Sequence, residues 1–264
     1  MKKVVVITGA SSGIGYDTAL LLVQKGYTVY GLSRSKITQD LILSMQVDVT
    51  QVEQVKTAFS DIYKQEQQID IVINNAGMGI SGSVEHSSIK DIDDILDVNF
   101  KGLFYVSQTA LPYLRMSKGK LINVGSVAGT LSIPFQAFYS ASKAAVQSFS
   151  DALSIEVKPM GIQVCTVLPG DIKTGFTKNR RKNIFESELY IKRVEQSIGV
   201  MEKDEQNGMS SSHAAKVFLK LVYKRRMPLV KTIGFKYKVF VFLEKILPKR
   251  FVVWIIGLLY GFNK

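Results

Sequence analysis

Residues 4–15 read Val-Val-Val-Ile-Thr-Gly-Ala-Ser-Ser-Gly-Ile-Gly, and this stretch sets the reading of the whole chain. Val4 to Ile7 is a short, apolar, β-branched run, the pattern of a parallel strand covered on both faces. A glycine-rich turn follows at once. Ile14, Thr18, Leu21, Leu22 and Lys25 then fall at helical spacing until Gly26 ends the segment. Strand, glycine turn and helix in direct succession begin a strand–helix–strand unit, whose next strand is predicted over Thr28–Ser33.

The alternation continues outward. A strand is predicted near Ser44–Asp48, a helix from Val52 to Gln65, and a strand from Ile69 to Asn74. Helical spacing covers Ile89 to Leu114 with a bend near Asn99, before a strand at Lys120–Val124. A helix from Phe138 to Lys158 and a strand from Gln163 to Leu168 complete the series, which stops at Pro169-Gly170. The expected fold is α/β: a doubly wound, Rossmann-like parallel sheet with helices on both faces and a C-terminal hydrophobic, basic helical extension. Ligands of such sheets bind outside the carboxyl ends of the strands, so the chemistry should follow the strands. The expected division is a domain over 1–228 and an extension over 229–264.

Charge is unevenly spread. The chain of 264 residues has 34 Lys plus Arg against 22 Asp plus Glu, yet residues 1–214 are balanced to +1. From Ala215 to Lys264 there are 12 basic residues and one acid, Glu244. That last fifth is also rich in Phe, Tyr, Ile and Leu, with Trp254, which favours a membrane surface over nucleic acid as its partner. The single cysteine, Cys165, lies in an apolar run and reads as a buried small hydrophobe in a reducing compartment. No secretory signal precedes Val4, and a cytoplasmic protein, peripheral at the inner face of a membrane, is expected.

In the glycine turn, Gly9 permits the tight bend, Gly13 lets backbone approach a pyrophosphate, and Gly15 allows close helix–strand packing. The free amides and positive dipole of the helix start would hold the phosphates, with Ser11, Ser12 and Ile14 beside them. The spacing is G-x-x-x-G-x-G. It resembles the short-chain dehydrogenase/reductase family, as do Asp48-Val49, Asn74-Asn75-Ala76-Gly77, Asn99, Ser126, Tyr139-x-x-x-Lys143 and Pro169-Gly170 followed by Thr174. The resemblance spans residues 3 to about 176.

That resemblance implies that Asp48 and Val49 lie at the adenine, that Asn75, Ala76 and Gly77 line the cofactor cleft, and that Pro169, Gly170, Ile172 and Thr174 flank the nicotinamide. The second strand ends at Ser33-Arg34-Ser35, where the adenosine ribose would lie. An acid there would repel a 2′-phosphate, whereas Arg34 would pair with one, so NADP(H) is preferred and NAD(H) is the alternative.

Tyr139 and Lys143 are one helical turn apart. A phenol has a pKa of about 10, and a nearby ammonium lowers it, so Lys143 is expected to tune Tyr139. By the resemblance Lys143 also binds the nicotinamide ribose. Ser126 follows a strand and can hydrogen-bond a substrate carbonyl, and Asn99 resembles the residue that holds a relay water. The expected reaction interconverts a carbonyl and an alcohol by hydride transfer, with Tyr139 as acid or base.

His86 and His213 read as surface residues, and no metal site is expected. The run Lys178-Asn179-Arg180-Arg181-Lys182 reads as a solvated loop, with binding of an acidic substrate as the alternative, within the lid that this family carries, here 171–208. The last apolar run, Phe251–Phe262, would span about 18 Å as a helix, too short for about 30 Å of hydrocarbon. An interfacial segment fits it, and so does a cover for the substrate pocket or a dimer interface. The pattern loosely resembles the hydroxysteroid- and retinol-dehydrogenase-like branch and implies a hydrophobic carbonyl or alcohol substrate. A homodimer or homotetramer is expected from the family. A 3-oxoacyl thioester reductase and a non-catalytic dinucleotide sensor or scaffold stay open as alternatives.

Overall fold

The computed structural model describes residues 2–261. One parallel sheet contains β1 (Val4–Thr8), β2 (Thr28–Ser33), β3 (Leu43–Gln46), β4 (Ile71–Asn74), β5 (Lys120–Val124), β6 (Gln163–Pro169) and β7 (Val230–Ile233). The helices are α1 (Gly13–Gln24), α2 (Val52–Glu66), α3 (Ile89–Leu96), α4 (Leu103–Ser117), α5 (Ala137–Glu156), α6 (Ile191–Gln206), α7 (Ser211–Tyr223), α8 (Phe235–Ile246) and α9 (Lys249–Leu259). The spatial strand order is β3-β2-β1-β4-β5-β6-β7.

All five residues of β1 are buried, because both faces of the strand are covered. Val4 and Val6 pack with Phe59, Leu114 and Leu153 of α2, α4 and α5. Val5 and Ile7 point the other way, to Leu22 of α1 and Phe218 of α7. Alternation along one apolar strand thus feeds two cores. Cys165 is fully buried in the second of them. β1 pairs with β2 on one side and β4 on the other, so the chain winds outward in both directions from this point and leaves a crevice at their carboxyl ends.

The bend expected near Asn99 is a π-helical turn, Asp97–Gly102, set between α3 and α4. The expected boundary after residue 228 needs correction. β7 lies inside the stretch read as an extension, yet it pairs in parallel with β6, Val230 opposite Thr166 and Ile233 opposite Pro169. Lys231 interrupts the apolar run, and this hid a strand of four residues. The tail proper is α8 and α9; Phe262, the end of the apolar run, falls outside the described residues. Val241 of α8 packs with Val127 and Leu168 beyond the sheet's carboxyl edge.

Candidate active site

The turn after β1 is fixed to the turn after β4. Thr8 Oγ1 accepts from the backbone amides of Asn75 and Ala76, each at 3.0 Å. Asn75 Nδ2 donates back to the carbonyls of Thr8 and Gly9, each at 3.1 Å. Gly9 and Gly13 have φ of +64° and +56°, in the region that favours glycine. A Cβ on Gly15 would stand 2.4 Å from both Asn75 Nδ2 and the Gly9 carbonyl oxygen. Thr174 closes over the loop, 3.3 Å from where a Cβ on Gly13 would be. The first turn of α1 carries no acid, and no side chain caps it. A bare helix start behind side-chain-free glycines fits the pyrophosphate of a dinucleotide.

A cleft of about 770 Å³ runs from this loop along the sheet's carboxyl edge. At its centre the Tyr139 phenol hydrogen-bonds Ser126. Ser126 Oγ also accepts the Ala128 amide at 3.1 Å, which fixes the hydroxyl at the start of a short 3-10 turn. Lys143 Nζ donates to the Val124 carbonyl at 3.0 Å and lies 6.0 Å from the Tyr139 ring centre. Burial brings the Lys143 ammonium down to about 8. The expectation that Lys143 lowers the Tyr139 pKa is corrected: burial holds the phenol above its ordinary value, opposed by the Ser126 hydrogen bond and the Arg180 charge.

Asn99 is fully buried. Its Nδ2 donates to the Met78 carbonyl and to Ser142 Oγ, both at 3.0 Å, while Oδ1 accepts the Met78 amide at 2.8 Å. With its side chain so engaged, Asn99 fixes the turn after β4. Asn99 Oδ1 and Lys143 Nζ would stand 3.2 and 3.4 Å from a Cβ on Gly77, so a glycine there lets both approach.

The other predicted residues are brought together as well. Ser11, Ser12, Ile14, Ser33, Arg34, Asp48, Val49, Asn75, Ala76, Gly77, Pro169, Gly170, Ile172 and Thr174 all line the cleft with Gly9 and Gly13. Gly15 and Asn99 support it from behind. The Ser33 hydroxyl donates to the Ser35 carbonyl at 2.6 Å, and Asp48 Oδ1 accepts from the Thr50 amide at 2.9 Å and the Thr50 hydroxyl at 2.8 Å. Arg34 is exposed at the cleft's edge.

Sequence reading missed the far end of the cleft. Arg180, expected in a solvated loop, has a side chain only 1% exposed and forms an ion pair with Glu205. Glu205 also accepts from Thr177 Oγ1 at 2.6 Å, and the Arg180 guanidinium lies over the Phe176 ring, which in turn meets Tyr139. Arg181 bridges Asp91 and Asp94, and Lys182 pairs with Glu202, so the basic run is mostly neutralised. His86, read as a surface residue, is only part-exposed: it meets Ser83 at 2.8 Å, lies against Glu186, and packs edge-on to Phe185 and Tyr190. His213 is exposed, as read.

The tail closes the same end. Tyr237 of α8 covers Gly170, where a Cβ would meet the ring at 2.0 Å, and its hydroxyl donates to Asp171. Burial raises the Asp171 carboxyl above its ordinary value, opposed first by the Tyr237 hydrogen bond. Phe240, Ile256, Leu259 and Tyr260 line the cleft alongside Asp171, Asp204 and Glu205. The position of Tyr237 was signalled in sequence only by its place in an apolar helix.

The sequence pattern of the short chain dehydrogenase family matches residues 3–184. A 3-ketodihydrosphingosine reductase of Bacteroides thetaiotaomicron is 39% identical over 239 residues, which cover 88% of each chain. The crystal structure of a short-chain dehydrogenase from Streptomyces avermitilis superposes with a TM-score of 0.83 at 26% identity, covering 100% of this chain and 99% of that one. A short chain dehydrogenase of Burkholderia cenocepacia, solved with NADP, shares the fold at 22% identity and a TM-score of 0.78, with 97% of both chains covered. The glycine cradle, the Tyr139–Lys143 pair and these matches agree: the chain belongs to the short-chain dehydrogenase/reductase family and is an NAD(P)-dependent oxidoreductase.

Proposed function

We propose that the chain is an NADPH-dependent reductase of a long-chain, amphiphilic ketone. The observation that carries this reading is the wall of the cleft beyond Tyr139, where apolar Phe240, Ile256 and Leu259 stand with the acids Asp171 and Asp204, neither of them paired with a cation among the described residues as Glu205 is. A hydrocarbon tail suits the first group and a cationic head the second. The compound named for the Bacteroides relative combines both, since its ketone has a long alkyl chain on one side and an amine-bearing carbon on the other. The paired state of Arg181 and Lys182 removes charge that a phosphate-bearing thioester would use.

Arg34 supports NADPH over NADH, because an exposed guanidinium at the end of β2 can pair with a 2′-phosphate. The residues from Gly9 to Ile14, with Asn75 to Gly77, would hold the dinucleotide, which supplies the hydride when bound. Ser126 donates a hydrogen bond to the ketone oxygen and Tyr139 gives it a proton as the alkoxide develops. A phenol kept above its ordinary pKa by burial retains that proton until the stronger base forms. Lys143, brought to about 8, is poised to pass a proton back toward the phenol.

The test is NADPH consumption with 3-ketodihydrosphingosine in mixed micelles, against short ketones without tail or amine. Preference for the long amino ketone by about tenfold or more in kcat/KM is expected. Tight NADPH binding with no turnover of that ketone would overturn the substrate assignment.

A further inference from the structure

Two of the molecule's helices are apolar on the side that faces away from it. On α8, Phe235, Val239, Phe242 and Ile246 follow one another at spacings of three and four and are 81%, 39%, 62% and 61% exposed. On α9, Phe251, Trp254 and Leu258 form a second stripe, with Phe251 and Trp254 stacked at 5.6 Å between ring centres. The inner sides of the same helices are already used, because Phe240 and Ile256 line the cleft. Apolar surface on both sides of a helix pair needs two different neighbours.

The charge around the outer stripes identifies the second neighbour. Lys236, Lys238, Lys245, Lys249 and Arg250 are all exposed along α8 and α9, and the one acid there, Glu244, is paired with Lys249 at 3.0 Å. Aromatic and aliphatic side chains flanked by cations match the boundary between headgroups and acyl chains of an anionic bilayer. None of the described helices is long and apolar enough to cross a membrane, so this contact is with its surface. A second copy of the chain would bring the same cations against themselves across a two-fold interface, at an electrostatic cost.

We infer that the outer faces of α8 and α9 dock on an anionic lipid surface and so set the mouth of the cleft against it. Leu259 links the two sides: it lines the cleft and is 55% exposed. An amphiphile held in the bilayer then has a route past Leu259 into the cleft without transfer through water. The docking surface stands on its own geometry and does not depend on which ketone is reduced.

Trp254 is the single tryptophan of the chain, so the full-length protein reports on its own docking. Vesicles of phosphatidylcholine and phosphatidylglycerol in equal parts are expected to shift its emission to the blue and to quench it when the lipid is brominated. Flotation with those vesicles should exceed flotation with phosphatidylcholine alone by about tenfold and fall with added salt. Phe242→Glu combined with Ile246→Glu should cut flotation about tenfold while the melting temperature and NADPH binding stay near wild type. Lys245→Glu with Arg250→Glu, confined to exposed side chains, should do the same without touching the apolar stripe. Unchanged Trp254 emission at saturating anionic lipid would overturn the inference. So would undiminished flotation of the charge-reversed protein, or a dimer in light scattering that buries Trp254 and binds no vesicles.

Discussion

Lys143 donates from Nζ to the Val124 carbonyl oxygen at 3.0 Å, so a neutral acceptor holds an ammonium that burial brings down to about 8. The unfolded chain keeps its lysine near the ordinary value of 10.5 and therefore binds the extra proton between these two values. The cost to the fold is complete below pH 8 and disappears above 10.5, so the sign is a gain in stability as pH rises through that window. Relative to Lys143→Met, the wild-type protein without cofactor should gain up to about 3 kcal/mol across it. Urea unfolding of both proteins at a series of pH values measures the difference, and a pH-independent difference would contradict the burial argument.

In the proposed reaction, Tyr139→Phe removes the proton given to the alkoxide while keeping the ring against Phe176. Turnover should fall by about 10²–10⁴-fold, the usual contribution of a placed acid, with NADPH affinity within a few-fold of wild type. Steady-state kinetics beside a direct NADPH titration separates the two effects. Residual activity close to wild type would exclude Tyr139 as the acid.

Gly15→Ala introduces a methyl group at 2.4 Å from Asn75 Nδ2 and from the Gly9 carbonyl, a backbone atom that cannot move aside alone. Overpacking of this kind costs about 1–3 kcal/mol. The sharper readout is the cofactor: NADPH should no longer raise the melting temperature, because the displaced Asn75 unfastens the two turns proposed to hold it.

Arg34→Ala should raise the KM for NADPH about tenfold to a hundredfold and leave that for NADH nearly unchanged, the loss of one charge-assisted contact. Equal losses for both cofactors would show that Arg34 acts on something other than the 2′-phosphate.

Glu205→Ala leaves the Arg180 guanidinium buried without its carboxylate and should cost about 3–5 kcal/mol in urea unfolding. Adding Arg180→Met should restore most of that stability, since the cost lies in the orphaned charge. The double variant should still reduce small ketones if the pair holds the lid and takes no part in the proton transfer.

The strands, the glycine turn and the Tyr139–Lys143 pair were legible in the sequence because each is a local pattern with one dominant physical reading. Val4 to Ile7 has no polar residue to place, and Gly9, Gly13 and Gly15 are spaced by the turn itself. Arg180 was not legible: its partner Glu205 is 25 residues away, and a run of four cations among five residues looks solvated until its acids are found in space. His86 was misread for the same reason, its partner Glu186 lying a hundred residues on. β7 escaped because a lysine at a sheet edge can reach water, so the apolar signature of an inner strand is relaxed there. The Tyr139 pKa went the other way from expectation because spacing gives the distance to a cation and says nothing about how much water is lost.

The π-helical turn at Asp97–Gly102 has a consequence for how this site can change over time. Such a turn holds one residue more than an α-helix would, so losing any single residue from the segment would let it straighten. The helices on either side would keep their phase, because the turn takes up its extra residue locally, but the turn itself would be rebuilt and the amide of Asn99 would be drawn away from Met78. A deletion that removes no functional side chain would thus dismantle the support of Gly77 and Lys143. The position of that asparagine is written in the number of residues in a helix as much as in their identity.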